Sequence, residues 1–512
     1  MRLPGAPFGK YIGFFGGLAV FGVMRFAMSV PVGMTRGAWD VACVTALMAV
    51  WWITEAVPIP ATGLIPIFAF PALGVMSPKD AAAPYASDVI YLFMGGFFLA
   101  VTMEKWNLHR WIALHTIKVV GMSPSRLVLG FMAATAFLSM WVSNSATAMM
   151  MVPIGLAVVG EVTGLGAAQI KAGGQAGSNP DLNFGRALML GVAYAASIGG
   201  LATIIGTPPN AILVGVVRQM YGYEITFGQW MLFGCPLAAV TLLATWFILC
   251  RLQFPTKGFG RGRADGVIDG ELARLGPLSR PAAAVLAVAG LMAVAWIARG
   301  FVAKPLGLDH IDDSTIAIGG ALLLFALPVD LKKREFLLDW RTAVTIPWDV
   351  VLLFGGGLAI AHGFAVTGLT QYAADAFGDL RGVHAYVFMS LVVVFTILLT
   401  EVTSNTATAT LMVPLMGTVG VALGMNPLGP MLAAAVAASY AFMFPVATPP
   451  NAVAYGSGCF SIRDMALAGV WINLVSFVLI PAAVYLLLPL FWGQPLDALP
   501  SWLPGAGPPS GR

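Results

Sequence analysis

Apolar stretches recur along this chain from residue 11 to residue 492, separated only by short polar breaks. A helix needs roughly 20 apolar residues to cross about 30 Å of hydrocarbon. Inside that hydrocarbon every backbone N–H and C=O must find a partner, which leaves helices and closed barrels as spanning structures. Hydrophobic residues make up 59% of the sequence and charged ones 10%, against roughly 25% charged in soluble domains. The expected fold is therefore an all-α polytopic membrane protein, and its loops leave no room for a soluble receptor domain.

By length and apolar content, eleven spans fall at 11–32, 39–56, 58–76, 88–118, 186–217, 226–252, 281–302, 313–329, 347–378, 429–457 and 465–492. Two further stretches, 126–159 and 384–423, have polar, turn-capable centres and read as re-entrant hairpins. The basic residues test this layout, because cytoplasmic loops collect Lys and Arg. With the N-terminus inside, nineteen of the 27 Lys and Arg residues fall on the cytoplasmic side and seven outside, with Arg25 within the first span. The asymmetry supports both the orientation and the re-entrant reading. The same scatter accounts for the net charge of +4 without a nucleic-acid partner. The opening residues MRLPGAPFGKYIGFF carry two basic side chains and no small-residue cleavage site, which predicts a retained first span. Cys43, Cys235, Cys250 and Cys459 lie in or beside apolar segments without CxxC spacing, and read as packing residues.

The chain repeats itself. LFMGG at 92–96 returns as LFGGG at 353–357, and VSNSATAMMMVP at 142–153 returns as TSNTATATLMVP at 403–414, both offset by 261. GTPPNA at 206–211 returns as ATPPNA at 447–452, offset by 241, so the first half holds 20 extra residues in a polar stretch around 163–185. Each repeat then contains five spans and one hairpin. Five is odd, so the second copy starts on the opposite side of the membrane and the repeats are inverted. The predicted organisation is an N-terminal span at 1–38, a first repeat at 39–253, a cytoplasmic linker at 254–280, a second repeat at 281–492 and an extracytoplasmic tail at 493–512. The hairpins are 126–159 and 384–423, and the broken helices 186–217 and 429–457.

The repeated polar motifs carry the chemistry. A non-helical turn at membrane depth survives only where protein buries it or a wet cavity receives it. Ser, Asn and Thr at a hairpin tip offer oxygens to a hard cation and N–H or O–H donors to a carboxylate. Two consecutive prolines in each TPPN remove two backbone donors and break the span. The half-helix ends so created favour cations at carbonyl ends and anions at N–H ends. A lone SNT would be an ordinary helix cap and a lone TPPN an ordinary kink; duplication in register marks a site.

In this combination the motifs resemble those of the divalent anion:sodium symporter family, a likeness running from about Trp39 to the last span. The resemblance implies one sodium site at Ser139, Ser143, Asn144 and the Gly206 region, and a second at Thr400, Thr403, Asn405 and the Ala447 region. It implies substrate carboxylates at Asn144, Ser145, Asn405, Thr406, Thr448 and Pro449, with Thr207 and Pro208 nearby. A homodimer, an elevator movement of the transport domains and a bacterial inner-membrane location are implied in the same way. Ser145 departs from the family's Thr, keeping a hydroxyl and losing a methyl group.

The expected function is sodium-coupled import of C4-dicarboxylates such as succinate, malate and fumarate, with Na+ as coupling ion. Alternatives are a sodium-independent exchanger, a sodium-coupled citrate or sulfate transporter and an anion channel. No Ser-His-Asp set or HExxH motif suggests an enzyme. The absence of Lys and Arg around both tips favours sodium, since a dianion entering a low-dielectric site needs compensating positive charge. Glu55, Asp88, Glu104, Asp349 and Glu401 read chiefly as capping or interfacial groups. Glu401, beside the second tip, is a candidate for orienting the Ser404 loop. The five histidines show no ligand spacing.

Overall fold

The computed structural model describes residues 7–121, 123–176, 182–256, 263–303, 305–308, 310–376 and 382–503. Among these, the fold is helical except for one short antiparallel pair, Pro328–Asp330 against Glu335–Phe336, which follows the helix Asp313–Ala326. Among the described residues, eight helical stretches are long and apolar enough to cross a membrane. They include Arg36–Thr54, Pro78–Lys105, Phe227–Gln253, Arg280–Gly300, Trp348–Thr367 and Ile462–Trp492. Large apolar side chains such as Phe15, Phe26, Phe68, Leu291, Phe395 and Leu486 point outward from the protein, as expected where lipid replaces water.

Several spans predicted as continuous are interrupted, each for a local reason. The span at 88–118 divides into Asp88–Lys105 and Leu108–Val120, and the one at 347–378 into Trp348–Thr367 and Leu369–Ala376. The divisions sit at Asn107 (φ 54°) and Gly368 (φ 76°), both left-handed and separated by the same 261 residues as the motifs. Asn and Gly are the residues that enter this region with least penalty, so the repeat conserves a backbone break through two different side chains. The predicted span at 58–76 resolves into Ile59–Thr62 and Ile65–Ala72, because Pro58, Pro60, Pro66 and Pro71 interrupt its hydrogen-bond ladder.

Helices are interrupted at both polar-centred stretches and at both TPPN motifs. The first hairpin has arms Pro124–Ser139 and Asn144–Thr163, the second Ala385–Thr400 and Asn405–Ala422. The first broken helix runs Asn183–Gly200 and then Pro208–Tyr221, the second Leu428–Ala438 and then Pro449–Gly456. The two long helices that follow, Phe227–Phe247 and Ile462–Trp492, both begin with a reciprocal capping box, Thr226 with Gln229 and Ser461 with Asp464.

The repeats also pack reciprocally. Phe93 and Phe354, equivalent positions, meet with ring centroids 5.2 Å apart. Gly95 lies against Ala317 of the second repeat, while its mate Gly356 lies against Gly63 of the first. Either close approach would be blocked by a side chain, the usual reason for small residues between membrane helices. Here a residue packs against its own mate in the other half, with a close glycine contact to the other half on either side.

Two segments expected to be connectors carry structure. Within 254–280 the helix Arg263–Leu275 packs on Leu108–Val120 and on the first hairpin, with Glu271 accepting from Arg110 Nη2 at 3.1 Å and Asp269 from Lys118 Nζ at 2.8 Å. The polar insertion contains the helix Ala167–Ala176. Beyond Trp492 the chain folds back: Asn426 donates from its backbone to Leu496 O at 2.9 Å and from Nδ2 to Pro495 O at 3.0 Å. Trp502 lies 4.9 Å from the Tyr223 ring, so the described part of 493–512 is docked. Arg25 pairs at 2.7 Å with the buried Asp40, so each of these two charges meets an opposite one.

Candidate binding site at the hairpin tips and helix breaks

Each tip is a four-residue turn between helix ends. In the first, the proximal arm ends at Ser139 and the distal arm begins at Asn144, with Ser143 as N-cap accepting from Ala146 N at 3.3 Å. In the second, the corresponding ends are Thr400 and Asn405, with Ser404 as N-cap. Ser139 and Thr400 are buried, whereas Asn144, Ser145, Asn405 and Thr406 are half-buried at the first turn of the distal arms.

The first tip reaches the first break directly. One atom of the Asn144 amide lies 2.5 Å from Ser139 Oγ, 3.1 Å from Ala196 O and 3.2 Å from Gly206 O. If that atom is the nitrogen, it donates to the surrounding oxygens. If it is Oδ1, four oxygens with a single hydroxyl proton among them crowd one point, an arrangement that a hard cation would stabilise. Either way Ser139, Asn144 and Gly206, three of the four residues assigned to the first sodium site, come together. Ala196, whose carbonyl completes the cluster, was not legible in the motif. The approach is possible because Gly200 and Gly206 pinch the break; a Cβ on Gly200 would sit 2.7 Å from the Asn144 amide.

In the second tip Thr400 Oγ1 lies 2.8 Å from Asn405 Oδ1 and donates within reach of Ala438 O, also at 2.8 Å. Thr403 is turned away, its hydroxyl 2.8 Å from Leu399 O and 2.7 Å from Thr408 Oγ1. Only its carbonyl is left for a cation. Ala447 is buried in the second break.

The breaks themselves, residues 201–207 and 439–448, are held open by two asparagines that sequence reasoning passed over, the last residues of the TPPN motifs. Asn210 Nδ2 donates to Gly200 O at 2.9 Å and Thr203 O at 2.7 Å. Asn451 Nδ2 donates to Ala441 O at 3.0 Å and Phe444 O at 3.1 Å. Both residues are fully buried, and their duplication was the signal that could have found them. Thr207 and Thr448 are the buried N-caps of the distal half-helices, followed by Pro208 and Pro449 at N1, the latter exposed. Glu401 does not orient the Ser404 loop. Its carboxylate faces the second break, accepting from Phe442 N at 2.9 Å, Met443 N at 3.0 Å and Asn473 Nδ2 at 2.8 Å.

The halves also interleave: the distal arm of the first hairpin packs on Pro449–Gly456, and that of the second on Pro208–Tyr221. Each repeat thus sets two carbonyl-bearing helix ends beside an oxygen cluster and two helix N-termini beyond it. Helix C-termini favour cations and N-termini favour anions, so this backbone can hold both ions side by side.

The sequence profile described as the sodium:sulfate symporter transmembrane region matches residues 10–499. The chain belongs to that family. Membership makes it a transporter rather than an enzyme. A protein of Staphylococcus saprophyticus named sodium-dependent dicarboxylate transporter SdcS is 40% identical over 95% of this chain and 94% of its own length. A Staphylococcus aureus protein of the same name is 42% identical over 89% of this chain and 88% of its own. Among solved structures, the Alcanivorax borkumensis YdaH transporter aligns with a TM-score of 0.55 at 13% identity, covering 88% of this chain and 99% of that one. Neisseria gonorrhoeae MtrF aligns at 0.51 and 14% identity, over 94% and 95%. At these identities the two structures bear on the fold alone.

Proposed function

We propose that this protein imports C4-dicarboxylates such as succinate, malate and fumarate together with sodium, by alternating access of one site built from both repeats. The observation that carries the reading is the duplicated pairing of an oxygen-rich hairpin tip with a broken helix. The names of relatives at 40% and 42% identity support the substrate class and the coupling ion. Residues 135–150, 198–211, 396–410 and 438–452 contain no Lys or Arg, so a cation from solution is the available counter-charge for a dianion. Sodium fits the donor set, which is hydroxyl, amide and carbonyl oxygen throughout.

In this reading the first sodium binds among Ser139, Asn144 and Gly206, with the Ser143 carbonyl, and the second among Thr400, Asn405, the Thr403 carbonyl and the Ala447 region. The dicarboxylate bridges the two tips through Asn144, Ser145, Asn405 and Thr406, with Thr448, Pro449, Thr207 and Pro208 forming the wall. Because the prolines lack N–H groups, the threonine hydroxyls would be the donors on that wall. The repeats at 39–253 and 281–492 are inverted, the N-terminus is cytoplasmic, and a homodimer supports an elevator movement of hairpins and broken helices. A sulfate substrate is the runner-up, favoured by the family's description.

Uptake of labelled succinate into proteoliposomes should require an inward sodium gradient. Uptake unchanged in choline buffer would reject the coupling, and stronger competition by sulfate than by malate or fumarate would replace the substrate.

A further inference from the structure

Where the helix Asp313–Ala326 ends, the chain turns back in the short ribbon Pro328–Asp330 against Glu335–Phe336, and the turn carries three consecutive cations, Lys332, Lys333 and Arg334, after the apolar Leu331. All four side chains are exposed. The base of the ribbon is fixed. Lys105 Nζ donates to Phe336 O at 3.2 Å and Trp106 Nε1 to Leu337 O at 2.8 Å. Leu337 and Leu338 are buried, and their N–H groups donate to Leu327 O and Leu324 O, each at 3.0 Å. Asp330, the nearest acid, spends Oδ1 on the backbone, accepting from Lys332 N at 2.9 Å and Lys333 N at 3.2 Å, and its other oxygen makes a long ion pair of 3.9 Å with Lys333 Nζ. Lys332, Arg334 and the exposed Arg341 make no ion pair among the described residues. A rigid stem thus presents charge that the protein itself does not neutralise.

Chain length sets the depth of this turn. The 14 residues of Asp313–Ala326 rise about 21 Å, and the extended residues 327–330 add up to about 13 Å. The far end of that helix is the charged group of Asp313, Arg299 and Glu224. The turn therefore comes where about 30 Å of hydrocarbon gives way to headgroups. Trp340 is exposed, with its ring 6.3 Å from that of Phe325 in the same span, and tryptophan favours this level of the membrane. We propose that the turn 331–334, flanked by Trp340 and Arg341, is a binding site for the headgroup phosphate of an anionic phospholipid of the phosphatidylglycerol type. Clustered Lys and Arg beside a membrane span attract anionic lipid, while Leu331 and Trp340 offer the acyl chains an apolar surface that a soluble anion would not use. The proposal is independent of the substrate and of the coupling ion.

The test is native mass spectrometry of the full chain in detergent, titrated with dioleoylphosphatidylglycerol and, separately, dioleoylphosphatidylcholine. Wild type should hold the anionic lipid more tightly. Lys332→Gln/Lys333→Gln/Arg334→Gln should weaken that binding at least tenfold, about 1.4 kcal/mol, and leave phosphatidylcholine binding unchanged. The control Lys10→Gln/Lys79→Gln/Arg126→Gln removes the same charge from exposed positions elsewhere and should bind like wild type. Equal losses in both variants would reduce the effect to net charge and overturn the proposal, as would equal wild-type affinity for the two lipids. Displacement of the lipid by glycerol 3-phosphate at a similar concentration would make the site one for soluble anions and overturn it too. If the triple variant does not assemble, the salt dependence of wild type decides: phosphatidylglycerol binding that weakens with added salt while phosphatidylcholine binding stays constant supports the proposal, and binding of both lipids indifferent to salt overturns it.

Discussion

Asn210→Ala is the sharpest test of how the first break is held. Asn210 is fully buried, and its Nδ2 makes two well-formed hydrogen bonds, to Gly200 O at 2.9 Å and Thr203 O at 2.7 Å, with a weaker approach to Leu201 O at 3.4 Å. Its Oδ1 accepts no hydrogen bond among the described residues, so the truncation removes donors only. Each buried carbonyl left unpaired is destabilised by about 1–3 kcal/mol. Gly200 O loses its donor while Thr203 O keeps a long contact from Gly206 N at 3.4 Å, so the loss is about 1–3 kcal/mol, part of which entering water can recover. The effect should also be local, since Gly200 and Gly206 frame the oxygen cluster around Asn144. Thermal unfolding in detergent should therefore show a clearly lowered midpoint, and sodium added at saturating concentration should recover less stability than in wild type. Uptake of succinate should be lost or severely reduced. A variant with wild-type midpoint, sodium response and uptake would refute the claim that this side chain sets the break.

Asn144→Ala and Asn405→Ala should each abolish succinate uptake while membrane expression stays near wild type, because each removes a tip contact rather than core packing; wild-type rates in both would reject the site. Gly199→Ala should assemble poorly, since its Cβ would fall on the backbone of Ala136, whereas Gly290→Ala, with open space around it, should match wild type in detergent-stable yield. Ser145→Thr should keep uptake and shift the competition profile among succinate, citrate and sulfate; an identical profile would show that this position does not shape the pocket. Hydrogen bonding from Lys105 and from Thr342 N holds the Asp339 carboxyl down at about 2. A depressed carboxyl stabilises above its unfolded value of about 3.9 and loses that stability as pH falls toward 2, so Asp339→Asn should lower stability by less than about 1 kcal/mol for this half-exposed pair, by the same amount at pH 6 and pH 8.

The parts of this fold legible in the sequence are those that lipid and duplication enforce. Hydropathy marks membrane-embedded segments because hydrocarbon penalises charge, and the paired SNSAT/SNTAT and TPPN strings located hairpin tips and breaks because two copies cannot both be accidental caps. Positions such as Asn107 and Gly368 escaped notice because the repeat conserves a left-handed backbone there rather than a residue type. The linker helix Arg263–Leu275 is amphipathic and could have been read from its pattern, whereas the docked C-terminal segment gives no periodic signal and takes its order from contacts made after folding. Asn210 and Asn451 were in plain view, yet attention to the prolines hid them: proline explains why a helix stops, while only a buried donor explains how the freed carbonyls are held. The same comparison between copies exposes difference as well as likeness. Where residues match, as at Asn144 and Asn405, the repeats supply similar tips; where they diverge, as at Met140 and Glu401, one tip carries a buried carboxylate tied to its break and the other a thioether.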